Sequence, residues 1–202
     1  MAAVDKADSA AFSLEEILSP TDWVLLNFLM DSRTGLGRSR NFSISNYALM
    51  IQLIEQSRDL TIHDILALPD VTERTELYTA HRTLFIEQLH RCTTVIGWLA
   101  ILDLRAEPVI YAGNRFMVFA LFPQCDISMH VLWGVRKENT VFAIGKSILD
   151  RSSPVDVGAI CPHYGGGGHH AAGTCQVSND DAKGVRIELV PLLTPEPVRN
   201  AA

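Results

Sequence analysis

The stretch "YGGGGHHAAGTCQ", residues 164–176, sets four consecutive glycines ahead of two histidines and two alanines. Each glycine loses more backbone freedom on folding than any other residue, so a run of four is costly inside a regular element. Such a run makes sense where the chain turns through positive φ or where a ligand must touch main chain. Amides left pointing outward by the turn form a nest for an anion. A helix starting near Ala171 adds its positive N-terminal end, and "TCQV" further on reads as a strand. Ala171 and Ala172 let the chain pack tightly behind the loop. His169, at the loop's edge, can donate to a phosphate oxygen or move a proton. The run is neither a Walker A loop nor a dinucleotide fingerprint, because neither Lys-Ser/Thr nor a GxGxxG-plus-acid pattern accompanies it. Adjacent histidines diverge, and no cysteine or carboxylate stands at a metal-ligand interval from them.

Working outward, the N-terminal half reads as helical. Residues 1–20 are small, polar and alanine-rich, the pattern of a mobile lead-in. "TDWVLLNFLM" follows, with Thr21 or Asp22 as N-cap, then a loop, "DSRTGLGRSRN". "SISNYALMIQLIEQS", "TIHDILAL" capped by Thr61, and a longer segment from Asp70 or Thr72 to Cys92 carry apolar residues at helical spacing. The pattern then changes. "TVIGWLAILDL", "PVIYAG", "FMVFALFP", "SMHVLWGVR" and "TVFAIGKS" are short, β-branched or aromatic runs broken by Gly, Asn, Asp or Pro. "RKEN" reads as the turn of a hairpin. "SPVDVGAI" reads as a helix start with Ser153 as N-cap and Pro154 at the first position. "DDAKGVRIELVPLL" fits a closing helix or a strand. The expected fold is therefore α/β (α+β): a helical segment over 21–93, then a mixed-sheet domain over 94–202.

Composition narrows the function. The chain has 202 residues, a formal charge of −6 and a pI near 5.6. An acidic chain has no general attraction for nucleic acid, so any polyanion site must be local. Cys92, Cys125, Cys161 and Cys175 show no paired spacing and read as thiols of a reducing compartment. The start lacks a signal peptide and a membrane span, so the expected location is cytoplasmic.

"GGGGHHAAGT" resembles the hallmark of the DHH phosphoesterase superfamily, in its DHH-associated domain of type 1. Gly165, Gly166, Gly167 and Gly168 match its glycine run, His169 its histidine and Ala172-Gly173 its ending. "VFAIGKSILDRSSPVDVGAICPHYGGGG" and "LMDSRTGLGR" with "ISNYALM" resemble the exopolyphosphatase-like and oligoribonuclease-like branch, so the likeness spans about residues 21–192. It implies two lobes. A DHH lobe holds two Mn2+ or Mg2+ ions, roughly 3.5–4 Å apart, and activates water. The associated lobe, residues 94–202 here, holds a nucleotide, short oligonucleotide, bisphosphate or polyphosphate. Residues 21–93 resemble the end of the DHH lobe and its linker.

The departure from the family is the front. The His-x-Asp-x-Asp-like motif and the Asp-His-His triplet are absent from this sequence, and Asp31 is the one position that resembles a metal ligand of that lobe. One carboxylate does not hold two metals, so this chain alone is expected to keep none stably. The resemblance assigns His169 as the catalytic candidate. Gly165 to Gly168, His169, His170, Arg151, Ser147, Arg33 and Arg38 are the phosphate-binding candidates. Arg33, Arg38 and Arg40 crowd the loop after Asp31, and guanidinium forks suit phosphate. Three functions follow as expectations. One is a domain that binds a phosphate ester without hydrolysing it alone. The second is a manganese-dependent phosphodiesterase or phosphatase completed by a separate DHH lobe. The third is a non-catalytic assembly protein. A homodimer or a separate DHH lobe is the expected protein partner.

Overall fold

The computed structural model describes residues 2–38 and 41–195, with the side chains of residues 2–4 and 38 outside the description. The chain divides into two compact units, Met1–His90 with Val109–Ala120, and Arg91–Pro108 with Leu121–Ala202.

The first unit is helical: α1 (Ala2–Asp8), α2 (Leu14–Leu18), α3 (Asp22–Met30), α4 (Asn46–Gln56), α5 (Ile62–Leu66), α6 (Pro69–Cys92) and α7 (Met117–Leu121). Residues 1–20, which read as a mobile lead-in, contain α1 and α2. Two anchors hidden in the alanine-rich stretch explain this. Phe12 and Ile17 are buried, and Phe12 meets the Phe28 ring edge-on at 5.1 Å. Ser13 and Glu16 close a reciprocal capping box that satisfies the first amides of α2. Thr61 caps α5 in the same way, with Asp64 as its partner. Leu29, Leu49, Leu53, Ile65, Val71 and Tyr78 build the core. Arg74 is fully buried, yet its donors reach Asn46 Oδ1 (2.9 Å), the Ile44 carbonyl (2.7 Å), the Asp70 carbonyl (2.6 Å) and Glu73 Oε1 (2.9 Å). A buried cation needs that complete a shell.

The segments "PVIYAG" and "FMVFALFP" read as strands and are not. Helix side chains take the amides of 111–113 in place of a strand neighbour. Tyr111 N–H donates to Gln88 Oε1 (3.1 Å), Ala112 N–H to His81 Nδ1 (3.0 Å) and Gly113 N–H to the Thr34 carbonyl (3.0 Å). Asn114 Oδ1 then accepts from Phe116 N–H and the chain turns into α7. Propensity lost to tertiary hydrogen bonding.

The second unit holds one six-stranded mixed sheet. Its strands are β1 (Thr93–Ile96), β2 (Leu99–Asp103), β3 (Ile127–Trp133), β4 (Asn139–Lys146), β5 (Gly167–His169) and β6 (Ala172–Ser178). The order is β1-β2-β3-β4-β6-β5, with β2–β3 parallel and every other pair antiparallel. This is the α+β class read from the sequence. "TVIGWLAILDL" is two strands, because Gly97 at φ +58° turns the chain between them. The expected hairpin across "RKEN" is β3–β4. Helix α8 (Val157–Ile160) is capped by Asp156 rather than Ser153, and the closing segment is a helix, α9 (Ala182–Leu193). Alternate residues of the strands, Leu99, Ile101, Ile127, Met129, Val131, Phe142, Ile144 and Cys175, pack with Val157, Leu189 and Leu193 into one core.

Candidate phosphate-ester site

The glycine tract caps a short 3-10 turn and then becomes the edge strand of the sheet. Gly165, at φ +71°, is the left-handed residue that ends the turn Cys161–Tyr164. Its N–H donates to the Pro162 carbonyl, and that of Gly166 to the Cys161 carbonyl, each at 3.1 Å. Those two amides are therefore spent inside the chain, and pairing with β6 engages the rest of the tract in a ladder, so the anion nest read from the sequence is not formed by four outward amides. Gly167–His169 pair with Ala172–Thr174 across a tight turn at His170 and Ala171. No helix begins near Ala171, so no helix dipole points at the tract. The residues after the turn form β6, whose Thr174, Cys175 and Val177 suit a strand.

Close approach explains two of the glycines. A Cβ on Gly166 would lie 2.1 Å from the Thr174 carbonyl oxygen, and one on Gly168 2.3 Å from that of Ala172. Gly158 serves the same end from α8, where a Cβ would sit 2.8 Å from the His169 carbonyl carbon. Gly167 is different. A Cβ there meets nothing within 4 Å, and the same holds for Gly145 on β4.

Strand pairing shows what Gly145 and Gly167 share. Gly145 pairs with Ala172 and Ala172 with His169; Ala143 pairs with Thr174 and Thr174 with Gly167. Cross-strand partners share a face. Ala143, Gly145, Ala172, Thr174, Gly167 and His169 thus lie together on the face opposite the Phe142–Ile144–Cys175 core. Gly167, His169 and Thr174 are exposed, and Ala143, Gly145 and Ala172 half-buried. The result is a low, open floor across β4, β6 and β5, with the His169 imidazole at one rim and His130 of β3, the partner of Ala143, at the other.

The two histidines have separate duties. His169 Nδ1 accepts the Ala171 N–H at 3.3 Å, so the neutral ring keeps its proton on Nε2, as a donor. His170 is held from both sides. Its Nε2 lies 3.0 Å from Lys146 Nζ and its Nδ1 3.5 Å from Asp156 Oδ2. An ammonium only donates, so Nε2 accepts and Nδ1 carries the proton toward the carboxylate. Lys146 also donates to the carbonyls of Ser153 (2.6 Å) and Val155 (3.1 Å). The Ala159 amide, with lesser help from His170, holds the Asp156 carboxyl below the usual range. The Asp156–His170–Lys146 chain thus ties the hairpin turn to the start of α8 and the end of β4.

The remaining candidates fall in several places. Ser147 is buried and its Oγ accepts the amides of Leu149 (3.1 Å) and Asp150 (3.0 Å), shaping the loop that carries the exposed Arg151. Arg33 and Asp31 are in the first unit and engage each other. Asp31 Oδ1 accepts from the Arg33 amide (2.9 Å) and Nε (3.0 Å), while Arg115 Nε stands 3.4 Å from Oδ2. Arg115 went unnoticed in the sequence because nothing in "YAGNRFMV" points toward Asp31. Burial, and then the neighbouring Arg33, push its guanidinium down to about 10. Arg40 and the side chain of Arg38 lie outside the described residues. The carboxylate expected to ligate a metal is thus embraced by two guanidinium groups. Among the described residues no group of three or more His, Cys, Asp or Glu side chains converges. This donor set does not fit a two-metal centre. A cavity of about 590 Å³ beside α9 is lined by Asp180, Asp181 and Glu188, with His163 and Tyr164. Its charge is wrong for a phosphate.

No family model and no curated protein matches the chain. Solved structures do, and they place its fold: the chain carries a DHH-superfamily-like domain of the associated type. The pGpG-specific phosphodiesterase PggH from Vibrio cholerae aligns over 98% of this chain with 55% identity and a TM-score of 0.85. That alignment covers 66% of the PggH chain, so the present sequence spans just under two thirds of its length. An exopolyphosphatase-related protein from Bacteroides fragilis aligns over 83% of this chain and 50% of its own, at 15% identity and a TM-score of 0.45. Among the described residues no helix is long and apolar enough to cross a membrane.

Proposed function

We propose that this chain holds a short phosphorylated oligonucleotide, of the size of the dinucleotide pGpG, on the open face of β4, β6 and β5. The observation that carries the reading is the pair Gly145 and Gly167. Neither has a neighbour within 4 Å of its missing Cβ, so the chain's own packing does not ask for glycine at either position. A floor kept free of side chains admits a flat base or a sugar–phosphate close to main chain, in the manner of other close-approach glycines. His169 presents Nε2–H at the rim as a donor to a phosphate oxygen, and Arg151 supplies charge from the adjoining loop. The Asp156–His170–Lys146 chain holds His169 in place and does not touch the ester. Support for a nucleotide ligand comes from the 55% identity to a protein named as a pGpG phosphodiesterase.

In this reading the chain on its own binds the ester without hydrolysing it; among the described residues no three His, Cys, Asp or Glu side chains converge. A second reading, phosphodiester hydrolysis completed by another lobe, is favoured by the length of PggH beyond the match. Isothermal titration with pGpG separates packing from function. Gly167→Ala is expected to weaken binding at least ~10-fold, about 1.4 kcal/mol, with an unchanged melting temperature. His169→Ala is expected to weaken it about 5- to 10-fold, the worth of one charge-assisted hydrogen bond. Wild-type affinity in both variants, or no binding by folded protein, defeats the proposal. Manganese-dependent release of mononucleotide by the chain alone would favour the second reading.

A further inference from the structure

Beyond Thr174 the open face continues to Gln176. It pairs with Val141 as Thr174 pairs with Ala143, so it lies on the side away from the core, and it is exposed. Its amide is held at one end. Asn139 Nδ2 donates to Gln176 Oε1 at 3.1 Å, while Gln176 Nε2 has no partner among the described residues. Asn139 is held in turn. Its Oδ1 is buried without a hydrogen-bond partner and lies where a Cβ on Gly134 would be. Gly134, at φ −71° and ψ −171°, has a backbone open to any residue, so what asks for glycine there is that oxygen. A carbonyl oxygen can rest against the Gly134 Cα–H, whereas an NH2 in its place would set hydrogen against hydrogen. The Asn139 amide is therefore fixed with Nδ2 outward, and the Gln176 amide with it.

We propose that Gln176 selects guanine over adenine in a dinucleotide lying on this face, an inference that rests on the binding face proposed above. A free glutamine offers both a donor and an acceptor and can pair with either purine. With Oε1 taken by Asn139, Gln176 offers only its N–H2. Guanine presents two acceptors side by side, O6 and N7. Adenine keeps N7 but carries N6–H2 in place of O6, which sets donor against donor. Reach agrees. Gln176 stands four residues along β6 from Ala172, the partner of His169, or about 13 Å. A phosphate at His169 and a base at Gln176 are within the span of one dinucleotide. Gln176 thus reads the base, and Asn139 is a positioning residue that does not touch the ligand.

Isothermal titration with pGpG, pApA and pIpI tests this. Inosine keeps O6 and N7 and lacks the 2-amino group. The wild-type chain is expected to bind pGpG and pIpI alike and pApA at least ~10-fold more weakly, the discrimination of one base contact. Gln176→Ala should bring the affinities for pGpG and pApA together. Its side chain is exposed, so the melting curve should hold. Asn139→Asp asks more. A carboxylate only accepts, so it takes the Gln176 N–H2 and turns the Gln176 carbonyl outward. The preference should then invert toward pApA, while the added charge weakens all three ligands together and leaves their ratio readable. Equal affinities or a pApA preference in the wild type, pIpI behaving like pApA, or discrimination that survives Gln176→Ala overturns this inference and leaves the binding face standing. Folded protein that binds none of the three defeats the binding face, and this inference with it.

Discussion

The two faces of the sheet in the second unit are built from the same strands and follow opposite rules. One face is filled. Ile101, Met129, Phe142, Ile144 and Cys175 are buried against α8 and α9. The other, over β4, β6 and β5, carries Ala143, Gly145, Ala172, Thr174 and Gly167, and is open. Period-two alternation sorts the volumes so sharply that neighbouring residues obey different constraints. Gly166 and Gly168 are demanded by β6, which passes too close for a Cβ, while Gly167 between them is demanded by nothing in the chain. The difference teaches that one run of identical residues can serve a turn at Gly165 and close packing at Gly166 and Gly168, while Gly167 among them faces open space.

The heaviest test falls on the filled face. Phe142→Ala should cost ~3–5 kcal/mol in denaturant unfolding, because it removes a fully buried ring and leaves a cavity. A loss below about 1 kcal/mol would mean the two faces are not so different after all. Next comes Gly166→Ala, where a Cβ must push the Thr174 carbonyl away; ~1–3 kcal/mol is expected from overpacking against rigid backbone. Lys146→Met probes the tie behind the hairpin. It strands the Ser153 and Val155 carbonyls and frees His170, for an expected ~1–3 kcal/mol.

Thiol labelling reads the contrast without substitution. Burial, helped by the adjacent Cys161, pushes the Cys175 thiol up to about 11, and burial raises Cys161 as well. At pH 8 both should stay protonated and shielded, so iodoacetamide should modify half-buried Cys92 first. Mass spectrometry showing Cys175 alkylated in folded protein as fast as Cys92 would open the face described as closed. The smallest expected effect is that of Gly167→Ala on stability. The melting curve should move by no more than ~0.5 kcal/mol, whatever happens to ligand affinity.

Much of this was legible in the residues. Thr61 caps its helix where a cap-forming residue precedes an apolar run, and the β3–β4 hairpin falls on "RKEN". The tract was visible as an oddity and its likeness to a family motif was specific. Its local shape was not legible, since "GGGGHHAAG" has no side-chain periodicity to reveal a strand. Asp156 and Lys146 are unremarkable in "KSILDRSSPVD" until the chain brings both to His170. Arg115 lies between two segments, "PVIYAG" and "FMVFALFP", whose β-forming residues suggested strands, and only the bonding of the 111–113 amides to α6 and to the loop after α3 shows otherwise.

What the amino-acid order settled by itself was local: caps, apolar spacing, turn residues, the α+β class and the position of the unusual loop. These depend on interactions within a few residues, which any window of sequence contains. Tertiary structure alone decided which glycines face backbone and which face space, that two amides of the tract are already bonded, and that Asp31 sits between two arginines. Each of those outcomes depends on groups far apart in the chain arriving within a few ångströms, and no local pattern encodes that meeting.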